Sequence, residues 1–188
     1  PKMEIVNNKA IVITTRRPNL VTECIPKSEV IETNGDLHKV AVRWGLDEAQ
    51  ALSKLKIKNV PSPIQRDYKW PGLYKPMDHQ KETANFLTLN KRAFCFNEQG
   101  TGKTASAIWA ADYLMEQKKV YKVLIICPLS IMQSAWQADL FKFAMHRKVG
   151  VAYGDRDKRK AVIESDAQFV IINYDGVDIV ADTIAKQN

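Results

Sequence analysis

Apolar positions along the chain change their period near residue 60, and the change divides it into two regions. Residues 3–44 read as β-structure: Lys9 to Thr15 is rich in β-branched residues, and Asn7-Asn8 offers a turn ahead of it. Val30–Thr33 and Lys39–Val42 flank Asn34-Gly35-Asp36, which predicts a hairpin. Asp47 is the expected cap of a short helix ending near Leu55, with Ala51, Leu52 and Leu55 on one face. Residues 1–60 are thus expected to form a small α+β module. Residues 61–75 carry Pro61, Pro63 and Pro71 among Tyr68, Trp70 and Tyr74, and Pro76 follows. That composition predicts an extended linker crossing a surface.

From residue 76 to 188 short apolar runs alternate with helical patterns. A helix over 77–89 leads to a strand at Arg92–Phe96, a Gly-containing loop and a helix over 103–117. A strand follows at Lys122–Cys127. The next helix is expected over 130–144, with Ser130 and Gln133 as a reciprocal capping box. A strand at Val149–Tyr153, a charged helix over 155–165, a strand at Gln168–Asn173 and a last helix complete the run. Such alternation predicts an α/β fold: a parallel sheet with helices on both faces.

Composition adds modest constraints. An apolar fraction of 45% suffices for a core, and the longest apolar run is far too short to span a bilayer. Cys24, Cys95 and Cys127 stand singly, and the three histidines are scattered, so neither a disulfide framework nor a structural metal is expected. The start of the chain has no secretory leader pattern; a cytoplasmic location is the expectation. The net charge of +7 points to a polyanionic partner. Most of the excess lies early: residues 1–75 hold 13 Lys/Arg against 8 Asp/Glu.

The segment with the most definite chemistry is Asn97-Glu98-Gln99-Gly100-Thr101-Gly102-Lys103-Thr104. A strand-to-helix turn containing Gly100, Thr101 and Gly102 lets backbone N–H groups close around phosphate oxygens, aided by the helix N-terminus. Lys103 supplies a charge for the β- and γ-phosphates of ATP, and the Thr104 hydroxyl is placed to coordinate Mg²⁺. Asn97 replaces the usual first glycine of such a P-loop, a change that asparagine tolerates better than most residues.

Around this loop the sequence resembles superfamily 2 helicases, most closely Swi/Snf-type DNA translocases and their bacteriophage relatives. Lys75–Gln80 is similar to the block whose glutamine reads adenine, which assigns that role to Gln80. Leu124–Ser130, with Trp136 beyond it, resembles the first nucleic-acid-contacting block, implying backbone contacts at Pro128 and Ser130. Tyr153-Gly154 and Phe169–Asp175 resemble the landmarks that follow, and Asn173 and Tyr174 match positions beside the nucleic acid. The resemblance implies an incomplete RecA-like P-loop lobe after the small module, an ATP and Mg²⁺ requirement, and DNA as partner, with RNA left open. It also implies a second RecA-like lobe elsewhere in the parent chain, no membrane association, and a viral protein working in bacterial cytoplasm. No Asp-Glu-x-His-type block occurs in residues 174–188, so no catalytic residue is assigned and the chain alone is expected to be hydrolytically inactive. Two other readings stand beside this one: a P-loop kinase or nucleotide-dependent switch, and a non-catalytic nucleic-acid-binding domain.

Overall fold

The computed structural model describes residues 1–97 and 102–187. They divide into two compact units, residues 1–68 with 81–96, and residues 69–80 with 97–188.

In the first unit β1 (Lys2–Val6) turns through Asn7 and Asn8, both at positive φ, into β2 (Ala10–Thr15). Helix α1 (Pro18–Cys24) follows within the stretch expected to be all β; Pro18 sits in its first turn, where a missing N–H costs nothing. Strands β3 (Glu29–Asn34) and β4 (Leu37–Arg43) close the expected hairpin, with Gly35 at φ 63°. The antiparallel order β1-β2-β4-β3 makes β2 and β4 central. Ile11 faces Val42 and Ile13 faces Val40, and all four are buried.

Helix α2 (Leu46–Lys54) starts earlier than expected, with Gly45 at its cap and Asp47 inside its first turn. Its buried face is Leu46, Ala49 and Leu52, because burial selects the stripe running through Leu46. The proline-rich stretch is also different from the expected extended linker. It contains α3 (Ile64–Asp67), with Ser62 and Ile64 fully buried and Tyr68 nearly so. Trp44 Nε1 donates to the Pro61 carbonyl at 2.9 Å. Arg66 lies 4.9 Å over the Trp44 ring and donates to the Trp44 and Asn8 carbonyls. Val60 and Tyr68, on either side of this single turn, are buried with Ile64. Helix α4 (Asp78–Leu89) contributes to this unit from Lys81 onward: Asn85 accepts from the Ser62 N–H at 2.6 Å, and Thr88 shares a 2.7 Å hydroxyl bond with Ser62.

The expected strand at Arg92–Phe96 does not form. Phe94 and Phe96 stack on each other at 5.7 Å and are 81% and 88% exposed. The alternating aromatics supply a strand-like pattern, but a strand also needs a hydrogen-bonding neighbour, and neither described sheet provides one.

The second unit runs through α5 (Lys103–Glu116), β5 (Val123–Cys127), α6 (Ala138–Phe143), β6 (Val149–Ala152), α7 (Arg156–Glu164), β7 (Phe169–Asn173), α8 (Tyr174–Ile179) and α9 (Ala181–Ala185). Its three strands pair in parallel in the order β5-β7-β6, so β7 is central and all five of its residues are buried. Ile125, Cys127, Phe169 and Ile171 pack on one face with Ile108, Met132 and Leu140. Ala152, Val170 and Ile172 pack on the other with Ile163 and Val180. This is the expected α/β layering.

Where one helix was expected over 130–144, the chain makes a 3-10 turn (Leu129–Ile131), a π-helical turn (Met132–Gln137) and then α6. The capping box is absent: Pro128 occupies the cap position, and no side chain bonds there. The Ser134 hydroxyl donates to the Ser130 carbonyl at 3.1 Å, a back-bond to the fourth preceding residue that disturbs regular helix.

Two buried clusters tie helices to loops here. Trp109 on α5 is fully buried, donates to the Pro71 carbonyl at 2.8 Å, and meets Trp70 and Phe143 edge-on at 5.5 and 5.1 Å. Asp112, also fully buried, accepts from Arg147 Nε at 2.6 Å and lies 2.8 Å from His146 Nε2. No helix among the described residues is long and apolar enough to cross a membrane.

Candidate nucleotide and nucleic-acid site

Gly100 and Thr101, expected to cradle phosphate, lie outside the described residues. Gly102 caps α5 in the left-handed region, at φ 74° and ψ 34°. A side chain there would be strained, and it would also collide: a Cβ would stand 2.1 Å from Gln80 Nε2 and 3.1 Å from Gln80 Cδ. Glycine is therefore required twice, for backbone shape and for the close approach of Gln80.

Gln80 is only 7% exposed. Its Oε1 accepts from the Met77 N–H at 2.8 Å, its Nε2 reaches the Gly102 carbonyl at 3.5 Å, and its backbone carbonyl accepts from the Ser106 hydroxyl at 3.1 Å. The structure thus brings Gln80 and the start of α5 together, as residues serving one ligand must be. In this arrangement the side-chain amide is turned toward the protein backbone.

Lys103 Nζ donates to the Asn97 carbonyl at 2.7 Å. The Thr104 hydroxyl, half-buried in the first turn, bonds no other described residue. These residues fit a nucleotide phosphate group and its Mg²⁺: a cation bonded to a neutral carbonyl, a threonine hydroxyl in the first turn, and the N-terminus of a 14-residue helix. Among the described residues no group of three or more His, Cys, Asp or Glu could hold a metal ion.

The other expected contacts fall at the carboxyl ends of the strands. Pro128 and Ser130 follow β5, both exposed, and Asn173-Tyr174 ends β7; the register pairs Cys127 with Asn173. Where the turns after β5 meet the end of β6, a cavity of about 360 Å³ is lined by Ser130, Gln133, Ser134 and Tyr153. Burial pushes the Cys127 thiol above its ordinary value, so it stays protonated and inert beside this edge. Tyr174 is exposed, but Asn173 is buried and its Oδ1 already accepts from Arg159 Nη1 at 2.8 Å. Trp136, beyond the block that resembles a nucleic-acid contact, is partly buried against the apolar cluster under the sheet.

Lys158, Arg159 and Lys160 form a run of three consecutive cations on α7. The structure separates its members: Lys158 and Lys160 are exposed, Arg159 is buried. A signal was available, since Arg159 and Ile163 stand four apart and share the inward face of α7. In the first unit Trp44 is buried and Arg16 pairs with Asp36 at 3.2 Å on the surface. In the last two helices Asp182 pairs with Arg156 at 3.3 Å, both exposed.

Residues 79–188 match the family profile described as the SNF2-related domain. The chain belongs to this family. SNF2-related proteins are ATP-dependent helicases and translocases, so the superfamily 2, Swi/Snf-type resemblance holds for more than half of the sequence. Protein p41 of Acyrthosiphon pisum secondary endosymbiont phage 1 is 29% identical over 118 residues, covering 58% of this chain and 26% of that protein. An uncharacterized ATP-dependent helicase of Mycoplasma genitalium, MG018, is 39% identical over 70 residues, covering 37% of this chain and 7% of that protein. The SNF2-related chain therefore spans about a quarter or less of the length of these relatives.

Proposed function

We propose that this chain supplies the ATP-phosphate loop and one nucleic-acid-contacting face to the motor of an ATP-dependent DNA translocase. The observation that carries the reading is the start of α5: Gly102 in a left-handed cap, Gln80 packed on it, and Lys103 arched back to the Asn97 carbonyl. Bound ATP would provide the transferable phosphoryl group, with Mg²⁺ neutralising its charge. This chain's own part is to hold the phosphate tail. Lys103 exchanges a neutral carbonyl for phosphate oxygens, α5 directs its N-terminal N–H groups at them, and Thr104 offers its hydroxyl to the cation. Gln80 stands next to the loop, suited to meet the base once its amide turns outward.

The strand ends after β5, β6 and β7 are the proposed track for the nucleic-acid backbone, with Pro128, Ser130, Asn173 and Tyr174 along it. Contacts there would be mainly with phosphate, hence independent of sequence and sensitive to salt. β5 lies at an edge of its sheet, with Ile126 half exposed, and suits a further strand of a larger lobe. We read the water-orienting carboxylates and a second lobe as supplied elsewhere in a longer protein, working in the cytoplasm. The chain alone then binds nucleotide without turning it over. The first unit would act as an accessory element with its own core.

Fluorescence titration with an N-methylanthraniloyl ATP derivative and Mg²⁺ tests the nucleotide half. The chain is expected to bind, and Lys103→Ala to weaken binding by about 10- to 100-fold, the worth of one charge-assisted hydrogen bond. Equal affinity of the two proteins would refute this placement of the phosphates.

A further inference from the structure

Arg159 poses an electrostatic problem that the family assignment does not answer. Its side chain is 6% exposed, yet every partner is neutral: Nε donates to the Gly154 carbonyl at 2.8 Å, and Nη1 donates to the Ala152 carbonyl at 3.1 Å and to Asn173 Oδ1 at 2.8 Å. No carboxylate among the described residues lies within ion-pairing distance of it. Removing a charge from water costs several kcal/mol, and neutral acceptors offset only part of that. Buried cations normally have an anion.

The surroundings indicate where that anion comes from. Arg159 joins two strand ends, the Tyr153-Gly154 turn after β6 and the Asn173-Tyr174 turn after β7. Its Cζ lies 5.9 Å from the centre of the Tyr153 ring, and both Tyr153 and Tyr174 are exposed. The fit is close on the other side as well: a Cβ at Gly176 would stand 2.0 Å from Nη1 and 2.7 Å from Asn173 Oδ1. Lys158, exposed one residue earlier, packs over Gly154, where a Cβ would meet its Cδ at 3.1 Å. Nη2 makes none of the guanidinium's hydrogen bonds and is not sealed from solvent.

We propose that Arg159 is the post of a phosphate subsite: it holds the Tyr153-Gly154 and Asn173-Tyr174 turns in register and presents its Nη2 edge to a nucleic-acid phosphate seated between the two tyrosines. The nucleic-acid identity of the ligand rests on the function proposed above; the anion site itself does not. Arg159 is here a positioning residue with one outward-facing donor edge, and Lys158 is the second cation of the subsite.

The test uses the full chain and two probes, a fluorescein-labelled 30-base-pair duplex and inorganic phosphate. With duplex, Arg159→Gln should lower the slope of log K against log salt by about 0.9, one phosphate contact, while Arg159→Lys should retain it. Melting curves establish that the variants are folded. A folded Arg159→Gln protein with an unchanged slope would overturn the proposal. If that variant does not fold, the ¹⁵Nε resonance of Arg159 in the unsubstituted chain decides. A shift with both probes supports subsite and ligand together. A shift with phosphate but no duplex binding keeps the anion site and removes the nucleic-acid reading. No shift with either probe sinks the subsite.

Discussion

Gly102→Ala is the sharpest test of the geometry at the head of α5. Two costs can be worked out separately. Alanine in the left-handed region is disfavoured by about 1–2 kcal/mol. The new Cβ would also stand 2.1 Å from Gln80 Nε2, so the amide must swing away and release the 2.8 Å bond that its Oε1 accepts from the Met77 N–H. A typical hydrogen bond adds about 0.5–1.5 kcal/mol. The sum is about 1.5–3.5 kcal/mol, which lowers the melting temperature of a chain of this size by about 3–14 °C. Differential scanning fluorimetry reads that shift directly. Gly102→Asn, whose side chain tolerates the backbone angles but meets the same collision, should recover part of the first cost and none of the second. If Gly102→Ala melts within 1 °C of the unsubstituted protein, neither the left-handed cap nor the contact with Gln80 exists as described.

Other expectations follow from buried groups. Arg147→Met removes the guanidinium that pairs with the fully buried Asp112 carboxylate at 2.6 Å; urea denaturation should register a loss of about 3–5 kcal/mol, and a loss below 1 would contradict the buried pair. Trp109→Phe removes the donor to the Pro71 carbonyl and shrinks the ring between Trp70 and Phe143, for a loss of about 2–4 kcal/mol in the same assay. Glu116 is exposed as a residue, but partial desolvation of its carboxyl, then repulsion from Asp112, raises that group above its ordinary value of 4.5. A raised acid stabilises the fold while protonated and loses that contribution as pH rises through 4.5 and the higher folded value. Glu116→Gln should therefore melt higher than the unsubstituted chain at pH 7, with the difference closing below pH 4.5; a difference independent of pH would refute the cause.

Much of the second unit was legible because its signals are local. The strands β5, β6 and β7 are short apolar runs between helical patterns, and the loop before α5 carries its chemistry in consecutive residues. Asn34-Gly35 specified its hairpin for the same reason: a turn depends on the backbone preferences of the residues within it. Hydrophobic period and turn chemistry were enough to indicate an α/β lobe behind a smaller module.

Tertiary structure decided the rest. Phe94 and Phe96 alternate like a strand, but a strand is made by its neighbour, and pairing between distant segments is not written in either one alone. The prolines of 61–76 suggested exposure, whereas Ser62, Ile64 and Tyr68 are buried by elements remote in sequence. The single helix expected from Ser130 is divided into a 3-10 turn, a π-helical turn and α6, with the Ser134 hydroxyl bonded back to the Ser130 carbonyl. Arg159 is the middle of three consecutive cations, and only the packing of α7 turns it inward against two strand ends. Sequence determines which groups prefer water and which backbone angles come cheaply; only the packed chain determines which charge is taken out of water and left needing a partner.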